Sequence, residues 1–126
     1  MNTFSIAIHG GAGTLVKGMM TPEKEQEYKG ALKRALDTGY LILVNGGSAV
    51  EAVEEAVVIL ENSHLFNAGK GSVFTATETH EMDASIMDGK TLNAGAVSLI
   101  SGIKNALDLV KKFKELESKG ELKFAD

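Results

Sequence analysis

Residues Leu65-Phe66-Asn67-Ala68-Gly69-Lys70-Gly71-Ser72-Val73-Phe74-Thr75 mark the point at which the character of the chain changes. Before them apolar residues recur at helical spacing, and after them come short runs broken by turn residues, as strands are. A glycine-bearing connection of this kind, leading from helix to strand, belongs to a layered α/β fold. The last carbonyls of a helix have no intrahelical donor, so the loop can turn several oxygens onto a hard cation. Equally, it can be a plain connection into a short strand over Ser72-Val73-Phe74-Thr75. Asn67 adds an amide that both donates and accepts hydrogen bonds, and it can therefore orient a nucleophile.

Moving upstream, Ser48 caps a helix from Ala49 to about Glu61. Glu51 completes a capping box, and Val50, Val53, Val57 and Leu60 are expected on one apolar side. A longer helix starts at Thr21-Pro22-Glu23-Lys24, where a capping residue precedes proline, and it closes at Asn45-Gly46-Gly47. Gly30 and Gly39 weaken that helix on propensity alone. At the start, Phe4 to Ile8 read as a buried strand feeding the loop His9-Gly10-Gly11-Ala12-Gly13. No Gly-Lys-Ser/Thr follows and GxGxxG is absent, so phosphate or dinucleotide binding has little support. A tight turn with His9 as a satisfied buried histidine is the plain alternative. Close backbone approach to a reacting group accounts better for three neighbouring glycines.

Downstream, His80-Glu81-Met82-Asp83 reads as a polar turn, since one imidazole without helical H-E-x-x-H spacing makes a poor zinc site. Ala84-Ser85-Ile86-Met87 enters a hairpin turn at Asp88-Gly89, and Leu92 to Ile100 returns. From Lys104 to Lys119 an amphipathic helix is expected, carrying Leu107, Val110, Phe113 and Leu116. About four short strands are too few to cover their own faces and edges, so a missing partner is expected. No serine or threonine sits in a G-x-S-x-G elbow, and none is a self-evident nucleophile.

With 126 residues the chain fits one domain, 1–126. Hydrophobic residues at 44% and charged residues at 24% suit a folded chain. A net charge of −4 and a pI near 5.4 give no reason to approach nucleic acid or an anionic membrane. Cysteine is absent, so disulfides, thiolate metal sites and a cysteine nucleophile are excluded from this sequence. The residues near Met1 lack a signal pattern, and the expected location is the cytoplasm.

Taken together, Ile8 to Gly13, Leu65 to Thr75 and Glu81 to Gly89, continued by Leu92-Asn93-Ala94-Gly95-Ala96-Val97, resemble the plant-type L-asparaginase/isoaspartyl peptidase family in order and spacing. The likeness covers roughly 4–105. It implies the α-subunit of an N-terminal-nucleophile hydrolase, half of an αββα sandwich completed by a β-subunit. In such a family a precursor cuts itself and frees a threonine that is nucleophile and base in one residue. Substrates would be L-asparagine and β-aspartyl dipeptides, and pairs of heterodimers would associate. By the same resemblance a structural sodium ion, with no catalytic cofactor, would be held by the main-chain oxygens of Leu60, Glu61, Ser63, Phe66, Ala68 and Lys70. Asn67 would help position the nucleophile, and the Gly10-Gly11 loop would lie against it. The chain departs from the pattern after Asn105, where the family has proline and a further strand. Here Ala106 opens a lysine- and glutamate-rich segment, so 106–126 is divergent.

No catalytic residue is expected within the sequence itself, and its contribution to an amidohydrolase would be supporting. Two other functions compete with the enzyme-subunit reading. One is a non-catalytic, truncated or stand-alone α-like domain that binds or scaffolds. The other is an anion-binding module using the Gly10 loop. A partner chain beginning with threonine separates the first reading from both.

Overall fold

The structure is a computed structural model that describes residues 3–11, 20–107 and 110. Helix α1 spans Pro22–Val44, and Thr21 Oγ1 accepts the Lys24 amide at 3.2 Å to cap it. Helix α2 spans Ala49–Glu61. Its capping box is complete: Glu51 N–H donates to Ser48 Oγ at 3.2 Å, and Ser48 N–H donates to Glu51 Oε2 at 2.7 Å. Both caps and the glycine turn between the helices follow the sequence. No helix among the described residues is long and apolar enough to cross a membrane.

The two helices meet through small residues. Ala31, Ala35 and Gly39 on α1, four residues apart, are buried, as are Ala52 and Ala56 on α2. A Cβ on Gly39 would stand 2.7 Å from the Ala52 carbonyl oxygen and 2.5 Å from Ile6 Cδ1. Gly39 is therefore a point of close helix–helix approach, and the propensity it costs α1 is repaid in packing. This corrects the expected face of α2. Val53 and Val57 are 41% and 36% exposed, while Val50 and Leu60 are half-buried. The pattern of large apolar residues did not choose the helix–helix contact; backbone proximity did, and only alanine and glycine allow it.

Sheet structure is sparser than expected. Strands β1 (Met82–Met87) and β2 (Ala94–Ile100) pair antiparallel, with Ala84 opposite Val97 and Met87 opposite Ala94. Met82 and Asp83 thus belong to the strand, not to a turn. The register slips between Met82 and Ala84, and Asp83 Oδ1 accepts the Leu99 amide at 2.9 Å across the irregularity. Phe4 to Ile8 form no strand, because the described residues provide no neighbour for them. They lie along α1, where Phe4 contacts the Tyr40 ring at 5.5 Å and Ile6 reaches Gly39. Ser72 to Thr75 likewise form no strand. The Val73 amide is taken by Asn67, and the Thr75 amide donates to the Thr79 carbonyl at 2.8 Å.

Among the described residues the α/β fold shows two packed helices, α1 and α2, and a two-stranded sheet. Most of the expected C-terminal helix lies outside the described residues, though Ala106, Leu107 and Val110 are helical and buried. Asp88 organises the hairpin turn, accepting from Lys90 N–H at 2.9 Å and Thr91 Oγ1–H at 2.8 Å. These bonds, the Lys90 amide first, hold its carboxyl below the usual aspartate range.

Two outcomes follow from this packing. Gly30 has nothing closer than Arg34 Nη1 at 3.7 Å, so Gly30→Ala should stabilise by about 0.5–1 kcal/mol. Gly39→Ala should destabilise by roughly 1–3 kcal/mol through overpacking, and urea unfolding of both variants checks the opposite signs. For Asp88, a depressed folded pKa means that its stabilisation is present at neutral pH and is lost as pH falls through the folded value. A carboxyl NMR titration should place its midpoint below that of an aspartate in the unfolded chain, and Asp88→Asn should remove that part of the acid limb of stability.

Candidate functional site

Phe66 assembles the site. Its ring is buried and meets Tyr28 of α1 edge-on, with centroids 5.7 Å apart at 84°. Gly10 lies against the same ring: a Cβ there would stand 3.4 Å from Phe66 Cε1 and 2.8 Å from Leu32 Cδ2. Two segments more than fifty residues apart in sequence, each singled out by its glycines, are thereby brought to one place. Gly11 is exposed with φ 116, a conformation side chains rarely adopt. His9 is exposed, not the buried histidine of the plain turn reading. Ala12 and Gly13 lie outside the described residues.

The loop after α2 is tightly wound. Ser63 N–H donates to the Leu60 carbonyl at 3.0 Å, Ala68 N–H to Phe66 at 2.8 Å and Gly71 N–H to Ala68 at 3.1 Å. A single 3-10 turn over Gly69–Gly71 follows. Gly69 has φ 53, and a Cβ there would run into the Glu61 carbonyl; one on Gly71 would strike the Phe66 carbonyl. Gly69 N–H donates to Met82 Sδ at 3.1 Å, which ties the loop to β1. Asn67 is exposed, and its Oδ1 accepts the Val73 amide at 2.9 Å. Its side-chain nitrogen makes no hydrogen bond to another described residue. One end of the amide is thus fixed, and the donor end is left for a further group.

The six candidate metal-binding positions, Leu60, Glu61, Ser63, Phe66, Ala68 and Lys70, run from the last turn of α2 through this loop. The carbonyls of Phe66 and Ala68 each take one N–H among the described residues, and a peptide oxygen has two lone pairs, so each keeps an acceptor site; the Leu60 carbonyl faces the amides of both Asn62 and Ser63. A set of neutral, hard oxygens fits a monovalent hard cation. Among the described residues no three acidic or imidazole side chains gather as a higher-charge metal would require. A recess of about 500 Å³, lined by Asn62, Gly69, Lys70, Ile103 and Lys104, adjoins the loop. The larger one, about 610 Å³, lies at the α1–α2 turn and shares no residue with the loop or with Gly10.

Two contacts were not visible in the sequence. Ser72 Oγ and His80 Nδ1 are 3.0 Å apart, with the His80 ring against Phe74 at 4.3 Å. This serine–histidine pair sits on an exposed turn beside the hydroxyls of Thr75, Thr77 and Thr79. Glu61, considered only for its carbonyl, also has a buried carboxylate that accepts a bond from Asn105 Nδ2 at 3.0 Å. Neither pair has a local sequence signal, because each depends on a fold-dependent meeting.

A family model described as asparaginase matches residues 2–122. The isoaspartyl peptidase of Escherichia coli K12 is 51% identical over 100 residues, 79% of this chain and 31% of that protein. An isoaspartyl peptidase/L-asparaginase of Xenopus laevis is 48% identical over 110 residues, 87% of this chain and 34% of its own. A plant-type L-asparaginase of Pyrococcus furiosus is 46% identical over 127 residues, 96% of this chain and 40% of its own. The chain spans about a third of the length of the curated relatives it matches.

The Asn67 geometry separates two roles in advance. Asn67→Ala should expose the Val73 amide to rapid hydrogen exchange. Asn67→Asp, which keeps an acceptor and loses the NH₂ donor, should leave that amide protected. Exchange measured at Val73 in both variants checks this.

Proposed function

The chain belongs to the asparaginase family, and from that premise we propose that it serves as the α-subunit of an isoaspartyl peptidase/L-asparaginase. Its substrates are L-asparagine and β-aspartyl dipeptides. A β-subunit supplies the nucleophilic threonine and the strands that complete an αββα sandwich, and two such heterodimers associate in the cytoplasm. The threonine's free amine takes the proton from its own hydroxyl, and the oxygen attacks the side-chain amide carbon. The C–N bond breaks to release ammonia or an amino acid, and water then hydrolyses the resulting ester to aspartate.

The observation that carries this reading is the meeting of Gly10 and the Asn67 loop on one buried ring, Phe66. Glycine at 10 and 11 lets a reacting residue approach the backbone closely. Asn67, fixed by Val73, offers its free NH₂ to that residue or to the developing oxyanion. The carbonyls of Leu60, Glu61, Ser63, Phe66, Ala68 and Lys70 would hold a sodium ion whose part is to fix the loop, with no share in bond breaking.

The test is to purify the protein with its natural companions, determine intact masses and amino termini, and assay ammonia and aspartate release. A companion chain beginning with threonine, with turnover of asparagine or β-aspartyl dipeptide, is the expected result. Asn67→Asp should then lower turnover by roughly 100-fold, the scale for removing one oxyanion or positioning donor. A folded, inactive chain without such a companion would favour the binding or scaffolding module instead.

A further inference from the structure

Glu61 ends α2 where the carbonyl loop begins, and it is 4% exposed. A carboxylate withdrawn this far from water needs a donor, since an unsatisfied buried charge is costly. Asn105, 44 positions later, supplies one at 3.0 Å and is itself buried, followed directly by the buried Ala106 and Leu107. The backbone of Glu61 is held as well. A Cβ on Gly69 would collide with the Glu61 carbonyl and lie 2.9 Å from the Glu61 Cβ, so the two residues are in contact. Gly69 opens the 3-10 turn that follows Ala68, and it is anchored on its other side by Met82 Sδ. Glu61 is therefore gripped twice, by Asn105 on its side chain and by Gly69 on its backbone, at the start of the segment that carries the candidate oxygens.

We propose that Asn105 is a positioning residue that, through the Glu61 carboxylate, pre-forms the carbonyl loop and so sets its affinity for sodium. The inference rests on the sodium reading above. A cation that must first order its ligands binds more weakly by the free energy of that ordering. The Asn105–Glu61 bond removes part of that cost before the ion arrives. Hydrogen-bond partners behind metal ligands typically change affinity by about 10- to 100-fold when lost.

The experiment compares wild type and Asn105→Ala in the protein as isolated with its companions. Sodium chloride is titrated against a constant-ionic-strength choline chloride background. Thermal midpoints and calorimetric heats report sodium affinity, and amide exchange over 66–71 in sodium-free buffer reports loop order. Asn105→Ala should weaken sodium binding about 10- to 100-fold and lose loop protection without sodium. Should Asn105→Ala not fold, Asn105→Ser, too short to reach Glu61 but still polar, provides the same comparison. An Asn105 variant whose sodium affinity matches wild type overturns the proposal, as does one destabilised equally with and without sodium. A wild type indifferent to sodium overturns the sodium reading itself, and the proposal with it.

Discussion

The structure depends on how closely two helix backbones approach. At Gly39 the Ala52 carbonyl of α2 occupies the space a side chain would need, and Ala31, Ala35 and Ala56 continue the seam. Small residues at four-residue spacing let the helices close to near backbone contact, so dispersion between main chains replaces interdigitated large side chains. This seam fixes how α2 lies on α1, and α2 ends at Glu61 with the loop beginning at Asn62. Tyr28 on α1 then lies where Phe66 can pack on it, and Gly10 meets the same ring. Site geometry is thus inherited from helix packing through one aromatic contact.

The same seam leaves apolar surface unused. Tyr40, Leu41, Val44, Val53 and Val57 are exposed, as are Val73, Phe74, Met87, Leu92 and Leu99 around the hairpin. A two-stranded hairpin is marginal in water without a third strand or a covering layer. Its described neighbours reach it mainly through the Met82 sulfur beneath Gly69. Exposure on this scale is characteristic of a surface that another polypeptide covers. It agrees in sense with the fraction of the relatives' length that this chain spans. The β-subunit proposed above is one polypeptide that would cover that surface.

Local signals were readable where the chemistry is local. The Thr21 and Ser48 caps, the Asn45-Gly46-Gly47 turn and the β1–β2 hairpin each follow from residues a few positions apart, and each is present. What failed needed knowledge of neighbours. Phe4 to Ile8 alternate as a strand should, but alternation cannot create a partner, and they pack along α1 instead. Val53 and Val57 have the correct helical spacing, but the contact went to the alanine face. In the site, Asn67 and the Gly10 loop were identifiable by residue type. Their meeting at Phe66, and the Glu61–Asn105 bond, depend on separations that no local pattern encodes.

Glycine explains why the site is recognisable as a motif while concealing its chemistry. At Gly69 and Gly71 the residue is required because a backbone carbonyl occupies the space, that of Glu61 and that of Phe66 respectively, while Gly10 lies against the movable end of the Leu32 side chain. None of the three contributes a functional group. Gly69 and Gly71 let main-chain oxygens come closer than any side chain would permit, so whatever the loop offers a ligand there lies in peptide groups common to every residue. Side chains such as Ser63 and Lys70 can then vary while the oxygens stay in place. The exceptions are Asn67 and Glu61, whose side chains close the loop through Val73 at one end and Asn105 at the other. Those two bonds tie the carbonyl segment to Val73 and to Asn105. Were these carbonyls to bind the proposed ion, a loop closed at both ends would discriminate among cations by size as well as by charge.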